Sequence, residues 1–277
     1  MATIGLFNQL SVVRNSEFGV YLDGEQLGDI LLPNRSVPEG CKIGDELNVF
    51  IYLDSEDRLV ATLDKPLVMV GEFAWLTVLS VTNVGAFLDW GLPKDLLLPF
   101  AEQKYPPEVG RRVMVRVYLD NSNRLAASTR IDDFLEEESD DFVAGQEVDL
   151  LITDSTDLGY KAIVDNSHWG VLYSNELFQN ISKGQRIRGY IKRIREDRKI
   201  DLTLDKPGFE RIPGVAEQIL ATLKEHDGFM LLTDKSSPET IRSLFKVSKK
   251  VYKKAIGTLY KQRLIDIEEK GIRLIKK

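Results

Sequence analysis

The chain has 277 residues, 43% of them hydrophobic, a formal charge of −6, one cysteine and two histidines. Those figures exclude an internal disulfide and the usual zinc ligand sets, and no run approaches the ~18 apolar residues that a spanning helix needs. A reducing cytoplasm is the expected home, with no membrane contact, no metal and no cofactor; residues 1–10 show no basic stretch followed by an apolar run.

In chain order, the first 66 residues read as a small β-domain. Leu10–Arg14 and Phe18–Leu22 are short apolar-rich runs around a polar turn, and Asp29–Pro33 follows. Leu47, Val49, Ile51 and Leu53 then alternate with Asn48, Phe50 and Tyr52, which predicts a strand with the first set inward and the second outward. A turn at Asp54–Asp57 returns the chain through Leu59–Leu63. Residues 67–130 repeat the order, with Val113, Val115, Val117 and Leu119 as the inward set. Residues 147–207 repeat it again through Ile187, Gly189 and Ile191, where Arg193 breaks the alternation and Ile194 follows. A bulge that restores the inward apolar position is expected there. The three copies share one spacing: Gly44 to Arg58, Gly110 to Arg124 and Gly184 to Arg198. The first ends Thr62-Leu-Asp-Lys-Pro66 and the third Thr203-Leu-Asp-Lys-Pro207, while the second closes at Ser128-Thr-Arg130. About five short strands in some 60 residues fit a small closed barrel.

Between the second and third copies, residues 131–146 carry seven acids and no base, which predicts a solvated linker with a short helical turn near Phe134 and Leu135. Beyond Pro207 the period changes. Val215, Ile219, Leu220 and Leu223 share a helical face, Ser236-Ser-Pro-Glu239 reads as a capping box, and a further helix begins at Ser248. Leu264–Glu268 and Ile272–Ile275, joined through Gly271, form a two-stranded wing. Residues 208–277 are therefore expected to be a winged helix-turn-helix, and the chain as a whole mainly β with a small α+β domain.

The acidic total hides a polarity along the chain. Residues 1–66 sum to −6 and 131–146 to −7, but 147–207 balance and 208–277 reach +6. With a Debye length of roughly 8 Å, distant acid does not cancel local base. Single-strand binders combine a basic groove with aromatics on which bases stack. The first copy has aromatics in an acidic setting; the third presents Arg188, Tyr190 and Lys192 outward, followed by Arg195 and Arg198. On the helix from Ser248, Lys249, Lys250, Lys253, Lys254 and Lys261 lie on one arc, with Lys246 beside them, opposite Val251, Tyr252, Ala255, Ile256 and Leu259. Lysine is a point charge suited to phosphate, whereas base edges in duplex DNA are read by Arg, Asn or Gln. His168 beside Trp169 is a candidate surface or RNA-contacting pair, and Trp75 and Trp90 read as packing groups. No catalytic residue is expected: no glycine loop ending in Gly-Lys-Ser/Thr is present and Cys41 has no partner motif.

The phrases Val84-Gly-Ala-Phe-Leu88, Leu96-Leu-Leu-Pro99 and the Gly-to-Arg hairpins resemble the S1-type RNA-binding domain, a five-stranded oligonucleotide-binding (OB) barrel. Three such units with a C-terminal winged helix, together with Gly91-Leu-Pro-Lys-Asp95 and Leu204-Asp-Lys-Pro207, resemble the conserved virulence factor B family of bacteria. The resemblance implies RNA binding and an influence on virulence-associated gene expression. It also implies RNA contacts at Phe18, Tyr21 and Arg58 in the first unit, Phe87 and Arg124 in the second, and Tyr160 and Arg198 in the third. Leu31 and Leu97 stand where the family pattern has histidine, and Ile194 where it has aspartate. The expected partner is single-stranded RNA; duplex DNA, or ribosomal or polymerase proteins, are the alternatives.

Overall fold

The computed structural model describes residues 1–177, 180–206 and 212–275. It comprises two compact units, Met1–Glu136 and Glu137–Lys277. In the first, β1 (Phe7–Ser16), β2 (Gly19–Asp23), β3 (Asp29–Pro33), β4 (Glu46–Leu53) and β5 (Leu59–Thr62) close a barrel in the order β1-β2-β3-β5-β4. β6 (Phe73–Val81), β7 (Gly85–Asp89), β8 (Leu96–Pro99), β9 (Arg112–Leu119) and β10 (Leu125–Ser128) close a second barrel in the same cyclic order. So do β11 (Glu147–Thr156), β12 (Gly159–Val164), β13 (His168–Tyr173), β14 (Arg186–Ile194) and β15 (Ile200–Thr203) in the second unit. In each barrel the third and fifth strands run parallel and every other pair antiparallel, which is the OB topology. The end of the third copy expected at Pro207 lies outside the described residues.

Alternation supplies each core. Val49 and Ile51 are buried within the first barrel with Val12, Leu22, Ile30 and Leu32. The second strand of each barrel opens on a glycine at φ near +150°: Gly19, Gly85 and Gly159. A Cβ there would stand 2.0 Å from the Leu32 carbonyl oxygen, 2.3 Å from that of Leu98 or 2.0 Å from that of Leu172. These hairpins close only on a residue without a side chain. In the third barrel, the β14–β15 register shifts between Ile191 and Arg193. That is the expected bulge: Ile194 packs against the core, and Arg193 turns out to donate from Nε to Asp201 at 2.6 Å.

One expectation is corrected and another refined. Phe50 and Tyr52 do point out of the first barrel, but not to solvent: they are 0% and 4% exposed, in a core shared with the second barrel. Trp90 meets them edge-on, with ring centroids 5.8 Å from Phe50 and 6.2 Å from Tyr52. A face opposite a core is open only if nothing docks on it, and here the neighbouring barrel does. The acids of the segment at 131–146 are exposed, as expected of a solvated stretch, but several of them are ion-paired. Its first part, a 3-10 turn at Ile131–Phe134, belongs to the first unit, where Asp132 pairs with Lys104 at 2.9 Å and Asp133 with Arg130 at 3.0 Å. Its second part belongs to the other unit and is ion-paired with the third barrel.

The C-terminal domain has α1 (Ile212–Glu225), β16 (Phe229–Met230), α2 (Pro238–Phe245), α3 (Lys249–Lys261), β17 (Ile265–Ile267) and β18 (Ile272–Leu274), with sheet order β16-β18-β17. This is a winged helix, with β16 as a third strand that its two residues were too short to announce by alternation. The cap of α2 is Ser237, not Ser236: its Oγ accepts from the Thr240 N–H at 3.1 Å, while Ser236 Oγ accepts from Thr233 N–H. Lys246 takes the left-handed conformation that separates α2 from α3. Ser248 then caps α3, accepting from Val251 N–H at 3.2 Å. Ser248→Ala is expected to destabilise this domain by about 1 kcal/mol, read as a lower urea midpoint with unchanged slope. Among the described residues, no helix is long and apolar enough to cross a membrane.

Candidate nucleic-acid interface

The third barrel carries a groove of about 430 Å³ on the face of β12 and β13, the face on which OB barrels take oligonucleotides. Strand alternation places its floor. Ala162 and Val164 point into the core, so Lys161 points out, and Trp169 lies directly across from Ile163 on the neighbouring strand. The Lys161 ammonium sits 3.6 Å from the centroid of the Trp169 ring, a cation over an aromatic face. Thr156, Asp157 and Leu158 form one wall; Arg195 and Lys199, from the hairpin between β14 and β15, form the other. Arg195 Nε is buried without a hydrogen bond, 3.9 Å from Asp201, while its NH2 group pairs with Asp197 at 2.9 Å. Asp201 is 1% exposed and also accepts from Tyr173 Oη at 3.1 Å, so it holds the base of the hairpin in place.

Besides Asp157, a second acidic residue enters this groove. Glu137 lines it and pairs with Lys199 at 2.9 Å, a hydrogen bond that holds the Lys199 ammonium above the usual lysine range. Beside it, Glu138 and Asp140 pair with Arg198 at 3.3 and 2.5 Å. Ser139, 2% exposed, donates its N–H to the Arg198 carbonyl at 3.0 Å.

The residues expected to bind RNA divide among several places. Arg195 and Trp169 line the groove, and Arg198 sits at the turn of its hairpin. Arg188, Tyr190 and Lys192 lie on β14, off the groove, each against acid. Arg188 pairs with Glu147 and Asp149 at 3.0 and 2.9 Å, Tyr190 Oη lies 3.4 Å from Glu147, and Lys192 meets Glu176 at 2.5 Å. Burial first, and then Glu147, pushes the Tyr190 phenol upward. Tyr160 packs at the edge of the barrel core and lines a separate 530 Å³ cleft with Arg242 and Lys246. Arg242 of α2 closes that cleft by donating to the Ser174 and Leu177 carbonyls. His168 is not a surface ring: it is 5% exposed, with the Phe142 ring 5.1 Å away, edge-on. Lys161 and Lys199 are the groove residues that sequence reasoning missed. The strand-2 alternation that puts Tyr160 inward was the signal for Lys161.

In the first unit, Phe18 is 64% exposed, but the Arg14 guanidinium lies 3.5 Å over the Tyr21 ring and Arg58 pairs with Asp54 and Glu56 at 2.7 and 2.8 Å. The equivalent groove of the second barrel is stopped by the first. Phe87 and Arg124 line a remnant of about 210 Å³ together with Tyr52 and Asp57, and Arg124 pairs with Asp57 at 2.8 Å. Lys94 Nζ also donates to the Asp54 carbonyl at 2.6 Å.

On α3, Lys250, Lys253, Lys254 and Lys261 are exposed and Lys249 half-buried, opposite the buried Tyr252, Ala255, Ile256 and Leu259. Lys253 lies 3.4 Å from Asp234. Tyr252 Oη is buried without a hydrogen bond, and burial pushes its pKa far up.

Family models match the first two barrels and the C-terminal domain. Residues 4–64 and 70–130 match the S1 domain family, and residues 217–274 match the CvfB-like winged helix domain. YitL of Bacillus subtilis (strain 168) is 32% identical over 266 residues, 91% of this chain and 87% of that one. Conserved virulence factor B of Staphylococcus aureus (strain N315) is 27% identical over 244 residues, 85% of this chain and 81% of that one. A crystal structure of a Streptococcus pneumoniae TIGR4 multidomain protein with nucleic acid binding domains aligns over 98% of both chains, at 24% identity and a TM-score of 0.41.

Proposed function

The chain belongs to the conserved virulence factor B family, and from that premise we propose that it is a non-catalytic, cytoplasmic RNA-binding protein. In this reading it regulates gene expression, virulence genes among its targets, by holding single-stranded RNA in the third barrel and along α3. The observation that carries the reading is the groove itself, with Trp169 under Lys161 on the floor and Arg195 and Lys199 on the wall. An indole beside three cations is the pairing that single-strand binders use, bases on rings and phosphates on cations. Phosphate-directed lysines on α3 add a second cationic face without offering the Arg, Asn or Gln that read duplex base edges. The first two barrels bind RNA weakly in this reading, because Asp57 and Tyr52 stop the second groove and acids surround Arg58 in the first.

Fluorescence-anisotropy titration against single-stranded RNA homopolymers, duplex RNA and duplex DNA at two salt concentrations tests it. Single-stranded RNA is expected to bind at least about tenfold tighter than either duplex, with a log-log salt slope of about −0.7 per phosphate neutralised. Tight, sequence-specific binding to duplex DNA with weak binding to single-stranded RNA would instead identify a transcription regulator. Capture of ribosomal or polymerase proteins that survives RNase, with no RNA affinity in isolation, would identify a scaffold.

A further inference from the structure

We infer that the acidic strap at residues 137–140 is an intramolecular stand-in for the RNA backbone: it enters the third barrel's groove through Glu137, covers the hairpin turn beside it, and must be displaced before RNA binds. The inference rests on the proposed function and concerns regulation of that same groove. Three carboxylates from one short segment reach two cations of the last hairpin, Lys199 on the groove wall and Arg198 at the turn beside it. Glu137 lines the cavity and pairs with Lys199; Glu138 and Asp140 converge on Arg198. The partners lie 58 and more residues apart in sequence, so the pairing is not a by-product of local chain geometry. The strap is seated by its backbone and not only by charge: Ser139 is buried, and its N–H donates to the Arg198 carbonyl. Negative charges spaced along one short segment, each against a cation of the last hairpin, is the arrangement neighbouring phosphates would make.

The energetics suit displacement. Each pair is exposed, with side chains between 45% and 73% accessible, and exposed pairs are individually weak and screened by salt. A polyanion gains counterion release as well as the same cations, so it can outcompete the carboxylates. The strap then sets a threshold: an RNA that reaches only Lys199 leaves the two carboxylates on Arg198 in place, whereas one that spans both cations displaces all three.

The test uses the full-length chain and a fluorescein-labelled 12-nucleotide single-stranded RNA. The variant Glu137→Gln/Glu138→Gln/Asp140→Asn removes the three charges while keeping the side-chain shapes. The control Glu39→Gln/Glu46→Gln/Glu108→Gln removes three charges from the other unit, none of them lining the groove. The strap variant is expected to bind about tenfold tighter than the unmodified chain in 0.1 M salt, with off-rate and on-rate both measured. The control is expected to shift affinity less than twofold. Equal affinity of the strap variant and the unmodified chain overturns the inference and leaves the RNA-binding reading intact. An equal gain in the control also overturns it, because the effect is then one of total charge. Absence of RNA binding by all three proteins overturns the proposed function and, with it, the role of the strap. Thermal melting of the strap variant, expected within a few degrees of the unmodified chain, shows that the barrel is still folded.

Discussion

Removing the two wall cations of the third-barrel groove with Arg195→Gln/Lys199→Gln is expected to weaken single-stranded RNA binding about tenfold, and adding Trp169→Leu to bring the loss to about a hundredfold. The first step removes two phosphate partners; the second removes a ring whose stacking is worth about 1 to 3 kcal/mol per base. Trp169 is 8% exposed with Lys161 over it, so the substitution to leucine keeps apolar volume beneath the lysine. The comparison that gives the result its meaning is Arg188→Ala/Tyr190→Ala/Lys192→Ala on β14. Those three side chains are engaged by Glu147, Asp149 and Glu176, and a loss of under about threefold is expected for them. If the β14 variant loses more than the groove variant in the same anisotropy titration, the binding surface is on β14 and the groove assignment is wrong.

The second large effect is on stability. Trp90→Ala is expected to cost about 3 to 5 kcal/mol, the usual range for deleting a buried tryptophan. Trp90 is 2% exposed, it contacts both Phe50 and Tyr52 of the first barrel, and its indole N–H donates to the Lys94 carbonyl. Lys94 in turn reaches the Asp54 carbonyl, so the loss is shared by the two barrels. Urea unfolding of residues 1–136 is therefore expected to be a single transition in the unmodified protein and to split, or fall as a whole, in the variant. An unchanged midpoint would mean that the shared core contributes nothing.

Much of the fold was written locally. Val49 and Ile51 alternate because a barrel strand has one buried face, and the Gly-to-Arg spacing marks three hairpins. Ile194 after Arg193 marks a bulge, and Tyr252, Ala255, Ile256 and Leu259 mark one face of α3. What was not legible is what docks on an outward face. Phe50 and Tyr52 looked like stacking platforms because period two distinguishes one side of a strand from the other but carries no information about neighbours. The acids at 137–140 are exposed as composition implies, but their ion pairs were not legible because composition counts charge and not its partner, and theirs is some sixty residues downstream. The groove was legible in part: Trp169 and Arg195 stood out as residues, but Lys161 and Lys199 gained importance only once β12, β13 and the last hairpin were brought onto one face.

The shared core of the first two barrels has a consequence for how the protein is made. The first barrel's last strand ends at Thr62 and the second's at Ser128, and a ribosome adding roughly 5 to 20 residues per second takes about 3 to 13 seconds to cover the interval. For those seconds the first barrel is complete in topology yet shows Phe50 and Tyr52 to solvent. The nascent chain is then at its most adhesive, and trigger-type chaperones or a neighbouring nascent copy compete for the same two rings. Slow codons between positions 67 and 128 would lengthen that exposure, so synonymous changes there are expected to alter soluble yield while leaving the finished protein identical.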